Sequence, residues 1–239
     1  MSFLPDLVPA PMDPVVAAGA EGHRMRMRQR LLRAGPDALA DYEMLEMILF
    51  IALPRRDTKP LARALLDRFR TFGGVLGAPP TELLAVDGIG EAGAAAIKLV
   101  QAAALRMMRH EVAAQPILST WERLTEYLTA AMGHERTEQF RVLFLDGRNK
   151  LIADEVQGTG TINHAPAYPR EVVRRCLELH ASAVILAHNH PSGEPTPSRE
   201  DVTLTGEIVR AAAVMGIAVH DHIIIGRGKW LSFRAEKLF

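Results

Sequence analysis

A chain of 239 residues with 48% apolar side chains is long enough for one large or two modest domains, each with its own core. Its 28 basic and 28 acidic residues cancel, so the overall field offers no case for wrapping nucleic acid. No apolar run is long enough to span a bilayer, and Met1-Ser2-Phe3-Leu4-Pro5-Asp6 lacks the basic start and apolar middle of a secretory signal, so a cytoplasmic protein is expected.

Residues 1–22 are rich in Pro, Ala and Gly, show no lasting periodicity, and are expected to form a flexible tail. Residues 23–114 follow a helical pattern: the segment 42–50, then Leu61, Leu65, Leu66 and Phe69, then Leu83-Leu84-Ala85-Val86, each bounded by Gly or Pro. A small all-helical domain is expected there. Arg24, Arg26, Arg28, Arg30 and Arg33 form a basic stretch without an intervening acid, readable as a solvated helix start or as a surface for phosphate or an acidic partner.

Within that domain, Leu84-Ala85-Val86-Asp87-Gly88-Ile89-Gly90 leads into Glu91-Ala92-Gly93, with glycines where two helices would meet in a tight hairpin. The pattern resembles a helix-hairpin-helix. A side chain would block left-handed backbone angles at such a turn, and exposed amides at the following helix start can receive a DNA phosphate. Glu91 stands where a DNA-binding version would more usefully carry Lys or Arg, and Lys98 is the nearest downstream cation, so a packing hairpin is the alternative.

Gln115-Pro116 is the expected hinge to a second domain, residues 115–239. A helix is expected over 121–131, then strands over 140–145 and 150–153 joined by a turn at Asp146-Gly147-Arg148-Asn149. A helix beginning near Pro169 places Val172, Val173, Cys176 and Leu177 at helical spacing, which makes the single cysteine a packed core thiol. A strand ending at His188, a helix from Ser198 to about Met215 and a strand over 217–225 complete a mixed sheet flanked by helices, an α+β chain overall.

The chemistry concentrates in His188-Asn189-His190, followed by Ser198 and Asp201. Side chains two apart on an extended backbone point the same way, so both imidazoles can reach one metal ion. Pro191-Ser192-Gly193-Glu194-Pro195-Thr196-Pro197 is a loop by composition, and Ser198-Arg199-Glu200-Asp201 has the form of a helix start that returns Asp201 to the strand end. Two nitrogens and one oxygen leave a fourth tetrahedral position for water, the pattern of a catalytic zinc site. His220-Asp221-His222 repeats the spacing but runs straight into Ile223-Ile224-Ile225-Gly226 with no ligand-bearing loop, and reads first as a strand flank, with a place near the site as the alternative because both pairs sit at strand ends. Arg170 and Arg174 share a helix face, most simply a solvated one, while His164 and His180 have no partner at metal spacing.

These residues resemble a known family. His188-x-His190-Pro191-x6-Ser198-x2-Asp201 is similar to the metal motif of the JAMM/MPN+ zinc metallopeptidases, in the form His188-Asn189-His190-Pro191-Ser192-Gly193 carried by the bacterial RadC family. Tyr168-Pro169-Arg170-Glu171-Val172-Val173, Asp221-His222-Ile223-Ile224-Ile225-Gly226 and Ser232-Phe233-Arg234 agree, and the similarity extends from about Met25 onward. The resemblance implies a JAMM/MPN-like (cytidine-deaminase-like) domain after the helical one, a zinc-dependent hydrolase acting on a peptide or isopeptide bond, and a glutamate base upstream of the motif. Glu138 stands in that place, with Glu155 as the alternate. It also implies that Ser198, besides capping a helix, donates to the developing oxyanion. The family's association with repair gives a second expectation, an accessory protein that contacts branched DNA through the helical domain.

Overall fold

The structure, a computed structural model, describes residues 14–160 and 167–239, with the backbone alone for residues 14–21. The chain divides into two compact units, Met1–Val75 with Leu83–Ile97, and Leu76–Glu82 with Lys98–Phe239. Its helices are α1 (Pro14–Ala34), α2 (Asp41–Ala52), α3 (Lys59–Phe69), α4 (Phe72–Gly77), α5 (Pro80–Leu84), α6 (Glu91–Ala114), α7 (Trp121–Met132), α8 (Pro169–Glu178) and α9 (Arg199–Val214). The division falls inside α6, and Gln115 and Pro116 follow the end of that helix.

The first unit is helical, as its periodicity dictates. Leu45 and Leu49 on α2, and Leu61 and Leu65 on α3, recur four residues apart and are buried, so each helix turns one apolar stripe inward. α1 begins at Pro14, inside the stretch expected to be a tail. An Ala-rich segment lacks an apolar stripe yet propagates a helix already nucleated downstream, so missing periodicity was a poor guide there.

Much of the basic stretch on α1 is engaged within this unit. The Arg24 guanidinium donates to the main-chain oxygens of Leu53, Pro54 and Arg56, Arg24 and Arg28 both lie over the Phe50 ring, and Arg30 pairs with Glu43. The turn between α5 and α6 depends on Gly88, whose φ is +85°. A Cβ there would come within 2.7 Å of Leu61 Cδ2 and 2.8 Å of an Arg56 guanidinium nitrogen. Arg56 also donates to the Gly88 carbonyl at 2.8 Å.

The second unit holds one five-stranded sheet: β1 (Gln139–Leu145), β2 (Leu151–Thr159), β3 (Ala183–Asn189), β4 (Ala218–Ile225) and β5 (Trp230–Ser232), in the order β2-β1-β3-β4-β5. β3 and β4 run parallel and the other neighbours antiparallel, so the sheet is mixed, as expected, within an α+β chain. β2 continues six residues past the expected 153, because pairing with β1 supports polar residues that carry no apolar signal.

Alternation along β3 sorts the core into two layers. Ala183, Ile185 and Ala187 face Leu124, Leu128 and Met132 of α7, which lie four residues apart and are fully buried. Val184 and Leu186 face the other way, with Phe140, Val142 and Phe144, against Val172 and Cys176 of α8 and Ile208 and Ala212 of α9. Burial pushes the Cys176 thiol up to about 11, consistent with packing and not with nucleophilic chemistry. α9 ends in a Schellman turn: Gly216, at φ +70°, follows Met215, and Ile217 N donates to Ala212 O.

Replacing Gly88 by Ala is expected to destabilise the chain by about 1–3 kcal/mol, because the left-handed backbone and the approach to Leu61 both oppose a Cβ. Gly90→Ala, where a Cβ meets open space, is expected to change stability by less than about 1 kcal/mol. Urea titration of both variants checks the pair, and equal losses would refute the assignment of the turn to Gly88.

Candidate metal centre

Parity places the site. His188 belongs to the same layer as Val184 and Leu186, beneath α9, and pairs with Phe140 across the β1–β3 ladder. Its ring is 1% exposed and stacks on the Phe140 ring, with centroids 6.4 Å apart. His190 follows just beyond the strand, its amide donating to Ile225 O at 2.9 Å.

The loop that follows is tied back to the end of β4. Gly193, at φ +92°, accepts from Arg227 N at 2.9 Å, and a Cβ on Gly226 would sit 2.3 Å from Gly193 O, so two glycines allow the backbones to touch. Ser198 then caps α9. Its Oγ accepts from Asp201 N at 3.1 Å, and Asp201 Oδ2 accepts from Ser198 N at 2.8 Å and from the Ser198 hydroxyl at 2.7 Å. One capping box therefore starts the helix and aims the Asp201 carboxylate back at the strand end.

His188, His190 and Asp201 each turn one donor atom to a common point, all within 4.8 Å of one another. His188 Nε2 lies 2.9 Å from His190 Nε2 and 3.3 Å from Asp201 Oδ1, and His190 Nε2 lies 3.6 Å from Asp201 Oδ2. The other ring nitrogen of His190, Nδ1, sits 2.9 Å from the main-chain oxygen of Glu194. A carbonyl only accepts, so Nδ1 carries the proton and Nε2 presents its lone pair inward. Lone pairs of imidazole and carboxylate turned on one point repel unless a cation lies among them, and the donor set fits a divalent ion.

The charges respond accordingly. Burial alone would raise the Asp201 carboxyl, but contacts with His188, His190 and Ser198 outweigh it and hold the group well below the usual carboxylate range. The Asp201 contact in turn raises His190, with burial opposing and the charge of Glu138 adding to the rise.

The structure separates the two glutamates. Glu138, 8% exposed, lines a cleft of about 310 Å³ together with Asp201, Phe140, Leu204 and Glu207. Glu155 lies on β2 opposite Val142, where Arg175 of α8 grips it with contacts of 2.6 and 2.8 Å and keeps its carboxyl low. Among the described residues, Arg174 bridges Glu171 and Glu178 on the surface of α8, and exposed His180 ends that helix at φ +53°. His164 lies outside the described residues.

Asn189, between the ligand candidates, was not singled out from the sequence. It points to the opposite face of β3 and is 1% exposed. Its Oδ1 accepts from Gln139 N at 2.9 Å and its Nδ2 donates to Thr137 O at 3.1 Å, so it grips the backbone on both sides of Glu138. His222 contributes as well: it lies within β4, inside the strand expected over 217–225, and is fully buried, with Nε2 2.8 Å from His188 Nδ1 and Nδ1 2.6 Å from Thr205 Oγ1. Burial holds its pKa well below the usual imidazole value.

His220 does not join it. A register shift between β3 and β4 separates the two rings, and His220 Nε2 meets Asn149 Oδ1 at 2.6 Å instead. Asp221 accepts from Ser232 Oγ and from the amides of His222 and Arg234, tying the C-terminal segment to β4. The signal in the sequence was the run of three polar residues, His220 to His222, within a strand whose end is all apolar, a placement that costs stability where such groups are buried without partners.

Residues 118–238 match the family described as RadC-like JAB domain, and residues 22–95 match the family described as UPF0758 N-terminal. A UPF0758 protein from Rhodobacter capsulatus is 58% identical over 212 residues, which cover 89% of this chain and 99% of that protein.

The donor geometry predicts about one divalent ion per chain, weakened by more than about 100-fold in His190→Ala or Asp201→Asn, since losing a donor should exceed the loss from removing a supporting contact. Elemental analysis with chelator competition measures both quantities. Metal content in Asp201→Asn equal to that of the unaltered chain would refute the site.

Proposed function

The chain belongs to the RadC family, with a JAB domain of the JAMM hydrolase type, and from that premise we propose a zinc-dependent peptidase or isopeptidase with His188, His190 and Asp201 as the metal ligands. The observation that carries this reading is that Glu138 and Asp201 share one cleft at the edge of the converging donor atoms. Two imidazole nitrogens and one carboxylate suit zinc with an open position. When bound, such an ion polarises a scissile carbonyl and acidifies water at neutral pH.

The chain's own groups supply the rest. Glu138 accepts a proton from the attacking water as the new carbon–oxygen bond forms, and returns it to the departing amine nitrogen as the carbon–nitrogen bond breaks. Asn189 holds the backbone around Glu138 and thereby keeps that carboxylate at the cleft. At rest the Ser198 hydroxyl donates to Asp201, fixing the ligand, and rotation about its side-chain bond presents the same proton to a developing oxyanion. Phe140 and Leu204 line the cleft as apolar surface for a protein or peptide substrate.

DNA contact through the α5–α6 turn lies outside this proposal. Lys98, the nearest cation downstream of the turn, donates to the carbonyls of Leu76 and Ala78, and burial lowers its pKa. Among the described residues, no helix is long and apolar enough to cross a membrane.

Glu138→Gln is expected to lower turnover by about 10²–10⁴-fold while leaving metal content unchanged. A comparison of new N-termini and released lysines in cells carrying the unaltered chain or Glu138→Gln supplies the substrate, and identical profiles would refute the hydrolase. Asn189→Ala is expected to reduce turnover by about 10²-fold with the metal retained, because a base displaced by about 1 Å loses alignment. Single-turnover rates with the identified substrate check this, and full activity would show that the grip on residues 137–139 is dispensable.

A further inference from the structure

Beneath α9 runs a chain of buried contacts that starts and ends on one ligand residue. Thr205 Oγ1 lies 2.6 Å from the main-chain oxygen of Asp201, one helical turn earlier, and 2.6 Å from His222 Nδ1. His222 Nε2 lies 2.8 Å from His188 Nδ1, and His188 Nε2 lies 3.3 Å from the Asp201 carboxylate. Thr205 is fully buried, and His188 and His222 are each 1% exposed, so water does not compete for these groups.

Two directions of donation close this chain, and they differ in which His188 nitrogen is left bare. The Thr205 hydroxyl donates its single proton to the Asp201 carbonyl at 2.6 Å. Thr205 Oγ1 therefore offers only a lone pair to His222, and His222 Nδ1 carries the ring proton. A neutral imidazole holds one such proton, which leaves His222 Nε2 as an acceptor and obliges His188 Nδ1 to donate to it. The reverse arrangement, in which Thr205 donates to His222 Nδ1 and His222 Nε2 donates to His188 Nδ1, would put the His188 proton on Nε2 and withdraw that lone pair from the metal.

We infer that Thr205 and His222 are positioning residues that hold His188 as its Nδ1–H tautomer, turning the lone pair of Nε2 permanently toward the metal. Ligand histidines ordinarily receive this support from a carboxylate or a main-chain carbonyl. Here a neutral imidazole relays it from a helix carbonyl, and no charge is added behind the site. The relay rests on the metal reading proposed above, but its tautomers are properties of the protein alone.

The test therefore has two arms. In the metal-free full-length chain at about pH 8, above the ordinary imidazole range, long-range ¹H–¹⁵N correlation should show both His188 and His222 protonated at Nδ1. Protonation of His188 at Nε2, or averaging between tautomers, overturns the relay. In competition with a chromophoric chelator, Thr205→Val should bind zinc about 10–100-fold more weakly, while Thr205→Ser, which keeps the hydroxyl, should stay within about threefold of the unaltered chain. A folded Thr205→Val that binds zinc as tightly as the unaltered chain also overturns it. Should Thr205→Val fail to fold, the ring assignments in the unaltered chain decide alone. If the unaltered chain takes up no zinc, the metal reading falls, and the same ring assignments still judge the relay.

Discussion

The register of β3 is the constraint on which the site depends. Because strand side chains alternate strictly, pairing Phe140 with His188 places His188 under α9 and Asn189 on the α7 side. A slip of one residue would exchange them: an imidazole would enter the apolar layer against α7, and the site would lose a donor. The register is held by burial on both faces, since all seven residues of β3 are buried. Two adjacent polar residues at the end of that strand thus serve two different tasks, one turned toward the donor cluster and one toward the segment carrying Glu138.

The cluster itself is an arrangement of acceptors. Glu194 O directs His190, the relay through Thr205 directs His188, and the capping box directs Asp201, so each of the three is set by a neighbour outside the cluster. The attraction between the His190 imidazole and the Asp201 carboxylate raises the pKa of the first and, with His188 and Ser198, lowers that of the second against burial. Of the three directing contacts, two come from β4 and the start of α9, and the third, Glu194 O, comes from the loop after His190, which is tied down through Gly193 and Arg227.

Much of this was legible in local pattern. Helical spacing identified the inward faces of α3 and α8, and the two-residue spacing of His188 and His190, with a helix start at Ser198, identified the three residues that the structure brings together. Local pattern failed where the partner is distant in sequence. Nothing near His222 indicates that β4 lies parallel to β3, and a register shift rather than regular alternation sends His220 elsewhere. Glu138 and Glu155 are both acids beside a strand. Only the placement of α8 shows that Arg175 engages the second, and only the β1–β3 pairing brings the first to the cleft.

The sequence by itself determined the α+β class, the donor types and their capping box, and the family to which the chain belongs. Each of these depends on residues within a turn or two of one another, or on the whole string of residues compared with others. The tertiary structure decided which ring lies against His188, what grips the backbone around Glu138, and which glutamate lines the cleft with Asp201. Those assignments depend on strand order, strand direction and helix placement across separations of tens of residues, and such contacts follow from packing rather than from periodicity.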